Sequence, residues 1–254
     1  MANTQQQFAA GQYAPRAQSY VTSAVHAQGD DLAEIAAALH GRAGARALDL
    51  GCGGGHVSYC AAPHVAQVVA ADPTQAMLDA VAAAAAQKGL GNIATELAAA
   101  EALPFADGAF DVVLSRFSAH HWADMDAGLR EARRVLKRGG LAMFIDVVAP
   151  ADPALDTHLQ AVELLRDPSH VRNRSVAEWT AALARAGFAL QGFALRTLRM
   201  EFDVWTARTR TPELRAQAIR SLQSVAPDLV RSHFAIGADG GFDIQSATFS
   251  VLPA

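Results

Sequence analysis

The chain has 254 residues, a formal net charge of −4 and 51% hydrophobic residues. That length suits one α/β domain with insertions, and the mild acidity carries no nucleic-acid footprint. Two cysteines, Cys52 and Cys60, build neither a disulfide framework nor a zinc site. The polar segment Met1–Gln7 lacks the apolar stretch of a signal peptide, and no run reaches the roughly 20 apolar residues of a membrane span, so a cytoplasmic protein is expected.

The first predicted helix starts at Asp30-Asp31, with Leu32, Ile35, Ala36 and Leu39 at helical spacing and Gly41 and Gly44 after it. A short apolar strand then ends in Asp49-Leu50 and runs into Gly51-Cys52-Gly53-Gly54-Gly55, with a helix from Val57. Glycine suits such a turn because the backbone takes unusual angles and lets a ligand approach without a Cβ in the way. Amides at the helix start are expected to face an anionic group, a carboxylate or a phosphate. Val68–Asp72 is a second strand, and Pro73-Thr74 opens a helix with Met77, Leu78 and Val81 on one face. Ile93–Ala98 and Phe110–Ser115 are strands three and four. His120-His121-Trp122 lies in the loop that follows. The next helix is expected over Met125–Lys137, capped by Gly139-Gly140, with Arg130, Arg133, Arg134, Lys137 and Arg138 as a solvated cationic helix end. Leu141–Val148 is strand five.

Strand and helix thus alternate over residues 45–148, the pattern of a parallel sheet with helices on both faces. Ligands bind such sheets outside the carboxyl ends of the strands. The glycine turn, Asp72, Ala99–Glu101 and Ser115 all lie at such ends. Beyond Pro150 the pattern changes. Helices over Ala154–Leu165 and Val176–Ala186 flank a polar loop, Asp167–Arg174. Phe188–Phe202 contains a strand, Trp205–Phe234 is mostly helical, and Phe242–Leu252 alternates as a closing strand after the turn Asp239-Gly240-Gly241.

The set Asp49-Leu50-Gly51-Cys52-Gly53-Gly54-Gly55, Asp72, Ala100-Glu101-Ala102-Leu103-Pro104-Phe105, Phe110-Asp111-Val112-Val113 and Val135-Leu136-Lys137-Arg138-Gly139-Gly140 resembles the class I S-adenosylmethionine-dependent methyltransferases. Within them it is similar to the ubiquinone/menaquinone-biosynthesis C-methyltransferase branch with its type 11 methyltransferase domain. The resemblance implies a Rossmann-like, seven-stranded, mostly parallel sheet with helices on both faces and the last strand antiparallel. It implies a single domain, 1–254, with a cofactor core over 45–148 and a helical substrate cap from 1–40, 150–182 and 203–235. It also implies S-adenosylmethionine as cofactor, S-adenosylhomocysteine as product and a small-molecule acceptor. The cofactor-binding positions carried over are Asp49, Gly51, Cys52, Gly53, Asp72, Pro73, Met77, Ala100, Glu101, Ser115 and Tyr20. Asp72 would accept from the ribose hydroxyls, Met77 would pack on the adenine, and Ser115 would lie under the methionine end. The sequence departs from the family at Ala99, where an acidic residue usually precedes the Ala-Glu pair and reads the adenine amino group.

Two other readings stay open: a catalytically inactive cofactor-binding or partner-binding relative, and an NAD-dependent oxidoreductase. The latter is disfavoured by a glycine spacing that differs from G-x-G-x-x-G and by the lack of a following Tyr-x-x-x-Lys. His120 and His121 are the candidate catalytic residues, since imidazole titrates near neutral pH and removes protons from hydroxyls or from carbon next to a carbonyl. Adjacent residues of an extended segment point apart, so one of the two is expected to face the acceptor. His120, His121, Asp124 and Asp126 match no known metal-ligand spacing, and no metal site is expected. The residues do not choose among carbon, oxygen and nitrogen as the methylated atom.

Overall fold

The computed structural model describes residues 4–17, 21 and 29–254. Helix α1 (Gln5–Tyr13) precedes α2 (Asp30–Ala38). The core then runs β1 (Arg46–Leu50), α3 (His56–Ala61), β2 (Gln67–Asp72), α4 (Gln75–Gln87), β3 (Ile93–Leu97), β4 (Phe110–Arg116), α5 (Met125–Val135) and β5 (Leu136–Ala149). The remainder is α6 (Pro153–Arg166), β6 (Arg174–Ser175), α7 (Val176–Arg185), β7 (Phe188–Met200), α8 (Phe202–Arg208), α9 (Glu213–Ser224), α10 (Asp228–His233) and β8 (Phe242–Pro253).

The strands form an eight-stranded sheet in the order β3-β2-β1-β4-β5-β8-β7, with β6 paired to β5 off that path. Strands β1 to β5 are mutually parallel, and β8 enters antiparallel between β5 and β7. The expected antiparallel closing strand is therefore present, with the two-residue β6 as an addition. Strand order reverses at β1, which pairs β2 on one side and β4 on the other. This reversal opens a crevice between the carboxyl ends of β1 and β4.

Alternation along each strand divides the core. Leu48, Leu50, Val69, Val113 and Phe144 pack on one face with Leu129 of α5 and Trp179 of α7. Ala47, Val68, Val112, Leu114 and Ile145 pack on the other with Ile35 of α2 and Val57 of α3. Helix α5 shows why the sequence folds this way. Met125, Leu129, Ala132 and Val135 recur at helical spacing and are buried, while Asp124 caps the helix by accepting from the Ala127 amide at 2.9 Å. A third cluster lies beyond the sheet. Leu155 and Leu159 of α6, Trp205 of α8, Ile219 of α9 and Phe234 pack there with Phe242 and Ile244 at the start of β8.

The stretch after α5 departs from the sequence expectation. The helix stops at Val135, Leu136 is already extended (φ −82°, ψ 131°), and Gly139 and Gly140 lie inside β5 instead of capping a helix. The β4–β5 ladder shifts register between Phe110 and Val112. At Gly140 an ideal Cβ would stand 2.8 Å from the Asp111 carbonyl oxygen, so this glycine permits a close strand approach. Lys137 and Arg138 are thus strand residues. Of the cationic cluster, Arg134 is not merely solvated: it ties α5 to the 103–107 loop through the Leu103 and Phe105 carbonyls.

Candidate functional site

The carboxyl ends of β1 to β4, helix α1, the 117–122 loop, α6 and the far end of β7 enclose a cavity of about 750 Å3. It begins at the glycine turn, where Gly51, Gly53 and Gly55 have φ of +72°, +48° and +79°. A Cβ on Gly51 would collide with Ser118 Oγ, so the turn after β1 and the loop after β4 meet at that glycine. The turn's amides are largely used inside the protein. Gly51 and Cys52 donate to the Ala71 carbonyl, Gly53 to Asp72 Oδ2 and Gly55 to the Cys52 carbonyl. These four amides are thus engaged within the protein. The turn gives close backbone approach, with open space beside Gly53.

Two buried carboxylates flank the turn. Asp49 Oδ2 accepts from the Ser58 amide at 2.9 Å and hydroxyl at 2.6 Å. Burial pushes its pKa up to about 7 against those bonds, with the Asp72 charge adding to the rise. Asp72, at the end of β2, accepts from Gly53 through Oδ2 (3.0 Å) and from the Thr74 amide through Oδ1 (2.9 Å). It therefore braces the turn and the entry to α4 while facing the cavity, and burial raises its pKa too. Burial also drives the Cys52 thiol well above its usual range, so it stays a neutral, small wall residue.

Of the sequence-derived positions, Asp49, Gly51, Cys52, Gly53, Asp72, Pro73, Met77, Ala100, Glu101, His120 and His121 all line this one cavity. Ala99, the position that departs from the family, also lies on the wall. Glu101 has a further task. Its carboxylate accepts from the Ala123 and Asp124 amides (2.8 and 3.3 Å) and from Gln6 Nε2 (3.1 Å), joining the 117–124 loop to α1. Ser115 does not line the cavity. It is a buried strand residue paired with Phe144, and Ser118 stands on the wall in its place. Tyr20 lies outside the described residues.

The histidine pair also differs from expectation. Residues 119–121 form a 3-10 turn rather than an extended segment, so both rings line the cavity, with centroids 4.1 Å apart. Their chemistry diverges. His120 Nδ1 lies 2.6 Å from Asp146 Oδ1, and its amide donates to Asp146 Oδ2 at 3.1 Å. A carboxylate only accepts, so Nδ1 carries the proton and Nε2 is left to act. Burial alone would lower the His120 pKa, but the charge and hydrogen bond of Asp146, then Glu163 and Asp167, raise it. His121 is pulled down to about 4, first by burial and then by the charge of His120. Its Nε2 meets the Tyr13 hydroxyl at 2.9 Å and its Nδ1 the Ser169 carbonyl at 3.1 Å. Tyr13 in turn donates to Asp167 Oδ2 at 2.5 Å.

Sequence reasoning missed Asp146. It carried one signal, a lone carboxylate inside the apolar strand Met143-Phe144-Ile145-Asp146-Val147-Val148. Among the residues of the segments expected to form a cap, Gln6, Tyr13, Glu163, Arg166 and Trp205 reach the wall. Trp179 stacks on Phe249 in the sheet core (5.1 Å) and Arg172 pairs with Asp156. Asp124 caps α5 and Asp126 binds Arg185.

A family model described as a methyltransferase domain matches residues 48–144. The uncharacterised protein YafE of Escherichia coli is 47% identical over 188 residues, covering 74% of this chain and 91% of that protein. The uncharacterised methyltransferase YcgJ of Bacillus subtilis is 35% identical over 224 residues, 88% of each chain. Its crystal structure superposes with a TM-score of 0.85, covering 88% of this chain and 98% of the other. A ubiquinone/menaquinone biosynthesis C-methyltransferase of Shewanella frigidimarina is 37% identical over 121 residues, 46% of this chain and 47% of the enzyme. On these matches over most of its length, the chain belongs to the methyltransferase family.

Proposed function

We propose that the protein transfers a methyl group from S-adenosylmethionine to a small molecule held in the same cavity. One observation carries the reading: a single cavity runs from the glycine turn and Asp72 to the His120–Asp146 pair. Its volume of about 750 Å3 suits a cofactor at one end and an acceptor at the other.

The residues present fit the cofactor. Gly51 and Gly53 keep the turn free of side chains, and Asp72, although it accepts from two amides, retains lone pairs for ribose hydroxyls. Met77 and Ala100 supply apolar wall for a purine. Asp49 is placed to answer positive charge at the methionine end, and its high pKa in the free protein means that a cationic neighbour would help to ionise it. S-adenosylmethionine supplies an electrophilic methyl group on a sulfonium. The protein then has to hold the acceptor in line with it, exclude water and take up a proton where the acceptor needs to lose one. His120 is assigned the proton uptake: Asp146 orients its ring and stabilises the imidazolium, a relationship familiar from carboxylate–histidine pairs in hydrolases. His121, held through Nδ1 by the Ser169 carbonyl and set beside the Tyr13 hydroxyl, is assigned to positioning. The setting is proposed to be cytoplasmic, in keeping with the unpaired thiols of Cys52 and Cys60.

Calorimetry with S-adenosylmethionine, S-adenosylhomocysteine and NAD tests the first half: the two sulfur compounds should bind and NAD should not. Incubation with methyl-labelled cofactor and a metabolite extract tests the second, by label transfer to a small molecule. Binding with no transfer to any extract component would favour a non-catalytic cofactor-binding protein.

A further inference from the structure

Where the cavity reaches β7 and α8, its wall collects arginines. Arg166 of α6, Arg196 of β7 and Arg208 of α8 all line it. The first two side chains are 14% and 15% exposed. A guanidinium carries five N–H donors, and the protein uses only part of each set. Arg166 Nε donates to the Trp205 carbonyl at 3.0 Å and Nη1 meets Glu163 at 3.4 Å, while Nη2 has no acceptor among the described residues. Arg196 Nη1 donates to Thr248 Oγ1 at 2.8 Å and Nη2 pairs with Glu34, while Nε has no acceptor among them. Arg208 Nη2 lies 3.8 Å from Met200 Sδ. The neighbouring carboxylates are already engaged: Glu163 and Glu34 by these arginines, and Asp31 by Arg116. Charged donors left over on a largely buried wall call for an acceptor.

Sheet register fixes how far these groups stand from the histidines. Val147 of β5 pairs with Ser246 of β8, and Ser246 pairs with Arg196 of β7. The three form one row across three strands, and all line the cavity. Asp146, which holds His120, directly precedes Val147. Neighbouring strands lie about 4.8 Å apart, so the Arg196 backbone stands about 10 Å from that of Val147. The adjoining pair, Ile244 and Leu198, makes the wall apolar between the two ends. Trp205 lines the cavity as well, with the Arg166 guanidinium stacked on its ring at 4.9 Å and Arg208 one turn further along α8.

We propose that Arg196, Arg166 and Arg208 bind an anionic group of the methyl acceptor, a carboxylate or a phosphate, carried on an apolar body about 10 Å from the atom that is methylated. The inference rests on the methyltransferase reading. The guanidinium fork matches either anion with paired N–H bonds, and such charge-assisted bonds are stronger than neutral ones. A hydroxyl or carbonyl in the same place would accept the bonds without answering the charge. An ammonium group would meet only hydrogens and like charge. The apolar stretch between the arginines and the histidine turn suits a hydrocarbon or aromatic spacer, which gains by leaving water.

The probes are octanoate, octyl phosphate, octan-1-ol and octylamine, one chain with four head groups. Each is titrated by calorimetry into protein saturated with S-adenosylhomocysteine. The better of the two anions should bind at least about tenfold tighter than octan-1-ol, the worth of hydrogen bonds between charged groups, and octylamine should bind more weakly than the alcohol. Octanoate ahead of octyl phosphate assigns a carboxylate acceptor, and the reverse order a phosphate. Arg196→Met and Arg208→Met should each narrow the gap between anion and alcohol without changing S-adenosylhomocysteine affinity, and Arg196→Lys should keep part of it. Glu34→Gln releases Arg196 from its partner and should tighten anion binding while alcohol binding holds, a gain that a purely structural arginine would not give. Equal affinity for anion and alcohol in the unaltered protein, or a gap undiminished in both methionine variants, overturns the anion site. The same titrations without S-adenosylhomocysteine keep the two readings apart: failure of that compound to bind overturns the methyltransferase reading, while the anion preference is still read on its own.

Discussion

Asp72 accepts from the Gly53 and Thr74 amides and faces the cavity as well, so a substitution there acts on both the turn and the ligand. Asp72→Ala should weaken S-adenosylmethionine binding by roughly 1.5–3 kcal/mol, and unchanged affinity by calorimetry would remove Asp72 from the site. Asp49 gives the site a pH dependence. Burial holds its folded pKa at about 7, above the ordinary carboxylate value of 3.8, so the free protein carries a neutral Asp49 below that pH. A cationic ligand favours the ionised form, and binding must then release the proton. Affinity should fall as pH drops below 7, by up to about tenfold per unit for one linked proton, while Asp49→Asn should bind with nearly the same affinity at every pH. A flat profile in the unaltered protein would uncouple Asp49 from the ligand. The two histidines should separate by role. His120→Ala should cut turnover by roughly 100-fold or more while cofactor affinity holds. His121→Ala, which removes a ring bonded to Tyr13 and Ser169, should act mainly on acceptor KM. Near-normal turnover in both variants would leave alignment and desolvation as the whole of catalysis.

Helix α1 buries one side chain, Ala9, and docks through polar contacts instead. Gln5 donates to the Ser169 carbonyl, Gln6 to Glu101, and Tyr13 to Asp167. An element docked through exchangeable polar bonds and little apolar area belongs at the low-stability end of a fold, where enzyme lids are found. Since Gln6, Ala9 and Tyr13 line the cavity, amide exchange over Gln5–Arg16 should slow when the cofactor binds; equal exchange in both states would rule out a lid at α1. How well an element could be read from sequence depended on where its determinants lie. Strands β1, β2 and β4 declare themselves as apolar runs, and Gly51–Gly55 announces its turn, because the cause is local. Gly139-Gly140 read as a helix stop, and Gly140 proved to be a close strand approach, since one neighbour that demands a missing Cβ is Asp111 on β4. The histidines read as divergent because an extended segment was assumed, and the 3-10 turn turns both inward. Asp146 gains meaning only when β5 and the 119–121 turn meet, which no local spacing encodes.

At the scale of the whole molecule, the buried His170 and the half-buried His120 and His121 sit among acids, and their titration couples the site to stability. His170 is the informative one. Its Nε2 donates to Gln160 at 2.8 Å, its Nδ1 is buried with no partner among the described residues, and its ring lies 5.8 Å from that of His120. Burial, then the charges of His120 and His121, with Arg166 a smaller contributor, lower its pKa to about 3, while Asp167 opposes. The sign follows directly. Between the ordinary imidazole value of 6.5 and about 3, the unfolded chain binds a proton that the folded protein refuses, so stability rises with pH across that window and is lost on acidification. Each unit of that window is worth up to about 1.4 kcal/mol for this one group. His121, lowered to about 4, acts in the same direction, and Asp49, raised to about 7, acts in the opposite one. The acid response of the unaltered protein is thus a difference between opposing contributions. Comparing it with His170→Gln isolates one of them. At pH 7 the variant should be less stable by about 1 kcal/mol, the worth of the Gln160 bond. Near pH 4.5 the order should reverse by roughly 1–2 kcal/mol, because glutamine has no proton to refuse. Urea midpoints at the two pH values measure both differences. If the variant is less stable by the same amount at each, His170 titrates alike in the folded and unfolded chain, and the acid response must then come from His121 and the carboxylates.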